Sequence, residues 1–161
     1  MKNFSDLNEK EILALAISLE EEDCRTYDTI AEAMHDTYPD SAQIFRRMAQ
    51  EENTHRHRLL SLYQQKFGEH IPLIRRQDVK GFIQRKAIWL NQPLSLDKVR
   101  QQAEIMEAET KRFYTHAANL TTDTAIRQLL GDLAAAERKH EETAEQLESK
   151  YLTPDIHRKE T

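Results

Sequence analysis

With one cysteine, three glycines, four prolines and one tryptophan among 161 residues, this chain has few means of locking or breaking its backbone. The lone Cys24 excludes an internal disulfide and fits a reducing compartment. There is no run of 18 apolar residues, and the start, Met1-Lys2-Asn3-Phe4-Ser5-Asp6, lacks the apolar stretch of a signal peptide. The expectation is a soluble, intracellular, cytoplasmic protein. The net charge of -5 gives no reason to expect a nucleic-acid partner. What the chain does hold is 32% charged residues and an abundance of Glu, Gln, Ala, Leu, Lys and Arg. These are strong helix formers, so the expected class is all-α, as one domain over residues 1–161 with a single core.

Capping and turn residues divide the chain. Asn8 followed by Glu11 reads as a capping box opening a helix over about 9–36. Tyr38-Pro39-Asp40-Ser41 reads as a tight turn, and a second, antiparallel helix is expected over about 41–67 with Gly68 as its C-cap. Ser95 opens a third helix, 96–120, and Thr121-Thr122-Asp123 a fourth, 124–151, ended by Thr153-Pro154. Residues 69–95, 27 in number, are too long for an ordinary helix-helix turn. Such a crossover can run the length of a bundle and set helices two and three parallel. Val79, Phe82, Ile83, Ile88, Trp89 and Leu90 suggest a short extra helix within it, packed on the bundle or on a second subunit. Arg75, Arg76, Lys80, Arg85 and Lys86 make the crossover locally basic, which suits a subunit interface or an anionic membrane surface.

The chemistry centres on Glu-x-x-His. With 18 Glu and seven His, about one such spacing is expected by chance. The chain has three, so position on the helix decides between them. In the fourth helix Ile126, Leu129, Leu130, Leu133, Ala144, Leu147 and Tyr151 mark one buried face, and Glu137 and His140 fill its two missing steps. Glu52 and His55 do the same between Ile44, Met48, Leu59 and Leu62. Glu32 and His35 lie beside the stripe of Leu13, Ile17, Cys24, Tyr27, Ala31 and Met34, and are expected on the surface. A carboxylate and an imidazole aimed into a core cost several kcal/mol unless a positive charge neutralises them.

The two halves of the chain repeat. Glu20 precedes Tyr27 by seven residues and Glu107 precedes Tyr114 by seven; Glu52 follows Glu20 by 32 and Glu137 follows Glu107 by 30. Each half therefore offers Glu from its first helix and Glu-x-x-His from its second, all near mid-helix. Of the acidic run from Glu20 to Asp23, only Glu20 is expected to face inward. Four carboxylates and two imidazoles match two divalent ions in charge, and oxygen and nitrogen ligands without thiolate suit iron, or manganese, better than structural zinc. Ferritin-like di-iron and di-manganese carboxylate bundles carry this ligand set.

Glu20 to Tyr27, Ala49-x-x-Glu52-x-x-His55, Glu107 to Tyr114 and Ala134-x-x-Glu137-x-x-His140 resemble the helices of the rubrerythrin branch of the ferritin-like superfamily. The stretch Pro72-Leu73-Ile74-Arg75-Arg76-Gln77-Asp78-Val79-Lys80-Gly81-Phe82, with Trp89-Leu90, resembles more narrowly the N-terminal domain of bacterial membrane-bound ferritin. The likeness spans about residues 4–152. It implies a ferritin-like four-helix bundle in which Glu20 and Glu107 are terminal ligands, Glu52 and Glu137 bridge two irons, and His55 and His140 each complete one. Tyr27 and Tyr114 would hydrogen-bond the carboxylates or act as redox donors. It further implies ferrous iron with dioxygen or hydrogen peroxide as substrates, and a homodimer. An attached iron-exporting membrane domain would hold the chain at the cytoplasmic face of the bacterial inner membrane.

Two departures bear on activity. Thr110 stands where rubrerythrins carry a further Glu, which questions their peroxidase-linked ligand exchange, and the absence of Cys-x-x-Cys pairs removes a rubredoxin electron-transfer domain. Three classes of function follow: a ferroxidase or peroxidase-type di-iron oxidoreductase, a non-catalytic domain that senses or delivers iron to a transporter, and a purely structural dimerisation bundle, against which the inward Glu and His positions argue. Among the remaining residues, Cys24 reads as a small core residue and Glu104 and Glu109 as solvated. His57, His70, His116 and His157 read as surface histidines.

Overall fold

The computed structural model describes residues 2–81 and 95–151. Four long helices dominate: α1 (Glu9–Met34), α2 (Pro39–Phe67), α3 (Leu96–Leu120) and α4 (Thr124–Tyr151). Two short strands, β1 (Lys2–Asn3) and β2 (Val79–Lys80), pair in parallel, Lys2 opposite Val79. The architecture is an all-α, ferritin-like four-helix bundle.

Local chemistry sets the helix ends. The Asn8 side chain accepts from the Glu11 amide at 2.8 Å, and Glu11 reaches back to the Asn8 amide, a reciprocal capping box. Ser95 and Asp123 cap α3 and α4 by accepting from Lys98 and Ile126 amides. Gly68 closes α2 at φ 86°, a conformation a side chain would strain. α2 starts two residues earlier than the turn reading expected, because Pro39 occupies its first position, where a missing N–H costs nothing. Ser41, where the helix was expected to begin, lies inside its first turn and is buried.

Cross-helix contacts fix the directions. Tyr27 meets Glu107 while Glu20 meets Tyr114, so α1 and α3 run antiparallel. Arg58 pairs with Asp132 at 3.5 Å and Lys66 with Asp123 at 3.1 Å, so α2 and α4 do too. As α1 is also antiparallel to α2 in its hairpin, α2 and α3 are parallel.

The core falls into two clusters. One gathers Leu13, Leu19, Leu59, Tyr63, Phe113, Ala117, Ile126 and Leu133 towards the α1 start. The other gathers Tyr27, Ile30, Met34, Phe45, Met48, Ala103 and Met106 towards the opposite end. On α2 the core face is centred on Phe45, Met48, Leu59 and Tyr63, with Ile44 and Leu62 only partly buried at its edges. Ala144, Leu147 and Tyr151, expected on the α4 stripe, lie outside the described side chains.

From Ile12 to Ile17, α1 is buried on every side. The bundle covers one side, and Ile74, Val79, Leu7 and Phe4 join the same cluster from the crossover and N-terminus. Arg76 is 8% exposed and pairs with Glu109 at 3.2 Å and Glu22 at 3.5 Å, while Arg75 pairs with Asp78. Arg75 and Arg76 of the basic crossover therefore serve the fold. Of the residues from which a short helix was expected, Val79 lies instead in strand β2, and Phe82, Ile83, Ile88, Trp89 and Leu90, with Arg85 and Lys86, lie outside the described residues. Among the described residues, no helix is long and apolar enough to cross a membrane.

Candidate metal centre

Between the two apolar clusters the bundle turns polar. Glu20, Glu52, Glu107 and Glu137 are each at most 1% exposed, His55 8% and His140 5%. Each sits on the inner stripe of its helix, so the steps that place Leu13, Met48, Ala103 and Leu133 in the core bring these six to one level.

They form two overlapping groups whose ligating atoms lie within 4.8 Å of one another. Glu20, Glu52, His55 and Glu137 make one; Glu52, Glu107, Glu137 and His140 make the other. Glu52 and Glu137 belong to both. His55 Nδ1 lies 3.4 Å from Glu52 and 3.7 Å from both Glu20 and Glu137. His140 Nδ1 lies 2.9 Å from Glu52, 3.5 Å from Glu107 and 3.7 Å from Glu137. The imidazole rings stack with centroids 5.8 Å apart.

The outer oxygens are held. Tyr27 donates its hydroxyl to Glu107, and Tyr114 donates to Glu20, each bond crossing from one hairpin to the other. The inner atoms are not. Glu20 Oε2, Glu107 Oε2, both oxygens of Glu52 and of Glu137, and Nδ1 of both histidines are buried without a hydrogen bond. Even the 2.9 Å approach of His140 to Glu52 lacks hydrogen-bond alignment. Eight such atoms converging on one spot cost far more than a fold retains without compensation. Two divalent cations fit them in charge, donor type and position, and Glu52 and Glu137 could touch both.

Electrostatics show how the residues behave with protons instead of metal. Burial, then the Glu52 charge, raises Glu20 well above the ordinary carboxylate range. Burial and contact with Glu137 raise Glu107 likewise. Burial would raise Glu52 and Glu137 too, but neighbouring Glu and His groups outweigh it and both are lowered. Burial would depress the histidines, yet the surrounding carboxylates push His55 up to about 11 and His140 further still. Without metal, these environments favour protons on Glu20, Glu107 and both histidines and the anionic form of Glu52 and Glu137, a distribution in which negative and positive charges balance.

The other sequence expectations fare differently. Glu32, His35, His57, His70 and His116 are exposed; His157 lies outside the described residues. Asp23, expected outside with Glu21 and Glu22, is 1% exposed and accepts from Thr110 at 2.9 Å. Three residues after Glu20, it occupies the same helix face one turn on, just as Thr110 follows Glu107, and that step was the available signal. Cys24 is only half-buried beside the stripe. Glu109 is not solvated but pairs with Arg76, and Glu104 pairs with Arg100 at 2.8 Å.

Comparisons with known proteins agree with this arrangement. The rubrerythrin family model matches residues 11–148. No curated protein matches. Among solved structures, an uncharacterised conserved protein of Magnetospirillum magnetotacticum superposes with TM-score 0.71 at 23% identity, over 93% of this chain and 99% of that one. A hypothetical protein of Pyrococcus furiosus gives TM-score 0.71 at 20% identity, covering 91% of each chain. A Thermotoga maritima protein assigned provisionally to the ferritin-like diiron-carboxylate proteins gives 0.67 at 18%, over 89% and 96%. At these identities the structures speak for the fold alone. The family match covers most of the chain, and with the buried Glu and His cluster in place it carries the conclusion: this chain belongs to the rubrerythrin family.

Proposed function

We propose that Glu20, Glu52, His55, Glu107, Glu137 and His140 hold two iron ions, manganese being the alternative, and that the centre oxidises ferrous iron. The observation that carries this reading is the pair of overlapping four-residue groups sharing Glu52 and Glu137, with every inward atom unsatisfied. Iron bound there supplies one electron per ion, so a pair of ions can reduce dioxygen to hydrogen peroxide, or peroxide to two waters, with two protons taken up.

The chain's own residues prepare the site for that exchange. Tyr27 and Tyr114 tie down one oxygen of Glu107 and of Glu20, leaving the other oxygen of each facing inward. The apolar clusters above and below exclude water from both ends. One flank stays accessible: a cavity of about 450 Å³ between α2 and α4, lined by Glu51, Thr54, His55, Ala136, Lys139 and His140, reaches both imidazoles. Small reactants enter there.

The wider role in this reading is iron and peroxide homeostasis beside a transporter, as a homodimer joined to a membrane domain at the cytoplasmic face of the bacterial inner membrane. The resemblance of residues 72–82 to membrane-bound ferritin supports it. Anaerobic titration with ferrous ion, followed by a stopped-flow pulse of dioxygen or peroxide and near-ultraviolet detection of ferric iron, tests the proposal. Two irons per chain, oxidised rapidly in the native protein and not in Glu137→Ala, are expected. Iron bound but left ferrous would make this a sensing or delivery domain, and no binding would remove the metal centre.

A further inference from the structure

His140 faces two ways. Its Nδ1 points to the carboxylates of Glu52, Glu107 and Glu137, while Nε2 is bonded to Glu51 Oε2 at the mouth of the cavity. Glu51 belongs to α2, is 47% exposed at its side chain, and reaches across to α4. A carboxylate only accepts, so Nε2 keeps its hydrogen toward Glu51, and the proton His140 gives up on binding a cation is the one on Nδ1, whose lone pair then faces the carboxylates.

The repeat makes this contact one-sided. In the first hairpin Glu51 precedes Glu52; in the second, Ala136 precedes Glu137. A methyl group cannot accept a hydrogen bond. His55 also turns Nδ1 to its carboxylates, yet among the described residues no side chain bonds its Nε2. One histidine is therefore fixed in ring orientation and tautomer by an anion, and its counterpart is not.

We infer that Glu51 is a positioning residue for His140 and makes the two metal positions unequal, the one completed by His140 binding its ion more tightly than the one completed by His55. This rests on the reading of the six residues as metal ligands. A carboxylate on the outer nitrogen makes imidazole a stronger donor and holds the ring in place, and losing such a partner typically lowers metal affinity about 10–100-fold.

Calorimetric titration of the full chain with manganous ion, which dioxygen does not oxidise at neutral pH, is the test. The native protein should bind two ions in steps separated by about tenfold or more. Glu51→Ala should weaken the tighter step by roughly 10–100-fold and leave the weaker step unchanged. Glu51→Gln, whose amide oxygen still accepts from Nε2, should fall between. Ala136→Glu should strengthen the weaker step. The metal-free melting curve of Glu51→Ala should shift only slightly, since the pair it breaks is half-exposed at an open mouth. Equal affinities in the native protein overturn the inference, as does a Glu51→Ala variant with both steps unchanged or equally weakened. In those cases the metal centre would stand. Failure of the native protein to take up manganous or ferrous ion would instead remove the centre itself.

Discussion

The four groups whose surroundings favour holding a proton without metal, Glu20, Glu107, His55 and His140, together match the charge of two divalent ions. Metal uptake is thus an exchange that leaves the buried charge unchanged. Binding two ions near neutral pH should release up to four protons, measurable by calorimetry in buffers of different ionisation enthalpy. The groups that must lose protons are those whose values are raised, so apparent affinity should climb with pH across the neutral range. A pH-independent affinity would contradict this. The inward set was legible in the sequence because each member fills a gap in an apolar stripe and recurs in the second half. Asp23 was hidden in a run of acids whose usual fate is solvent. Glu51 had no signal at all, since it lies off the stripe of its own helix and finds its partner on α4.

At the scale of elements, the helix ends were readable wherever a side chain caps its own helix, as at Asn8, Ser95 and Asp123. Contacts between ends were not. Glu9 Oε1 accepts from the Thr122 amide at 2.9 Å, the Thr122 hydroxyl at 3.0 Å and the Asp123 amide at 3.1 Å, joining the α1 start to the α3–α4 turn. Hydrogen bonding from the Thr122 backbone, outweighing partial burial, lowers the Glu9 carboxyl below 4.5. A depressed carboxyl contributes stability above its unfolded value, and that contribution fades as pH falls through the folded value. Glu9→Ala should therefore cost about 1 kcal/mol near neutral pH. The gap from the native protein should narrow in acid, as followed by denaturant melts at several pH values. The β1–β2 pairing was likewise unreadable, because two-residue strands carry no periodicity.

For the whole molecule, metal should act as a clamp. Manganous ion at a hundredfold excess over its dissociation constant should add about 2.7 kcal/mol, or roughly 5–10 °C in Tm, and the gain should shrink in Glu137→Ala. The bundle itself follows from four amphipathic helices and a crossover too long for a hairpin turn. The cover over α1 came from Ile74, whose place in a loop announces no partner, and from Val79, expected to pack from a short helix and found in strand β2. Within the centre, each group of four takes three residues from one hairpin and one from the other: Glu20, Glu52 and His55 with Glu137, then Glu107, Glu137 and His140 with Glu52. Tyr27 donates to Glu107 and Tyr114 to Glu20 in the same reciprocal way. That is the symmetry of a swapped handshake, in which neither half owns a complete site. A protein severed between its hairpins should thus become a two-component receptor, with the ion serving as the glue that recruits one fragment to the other.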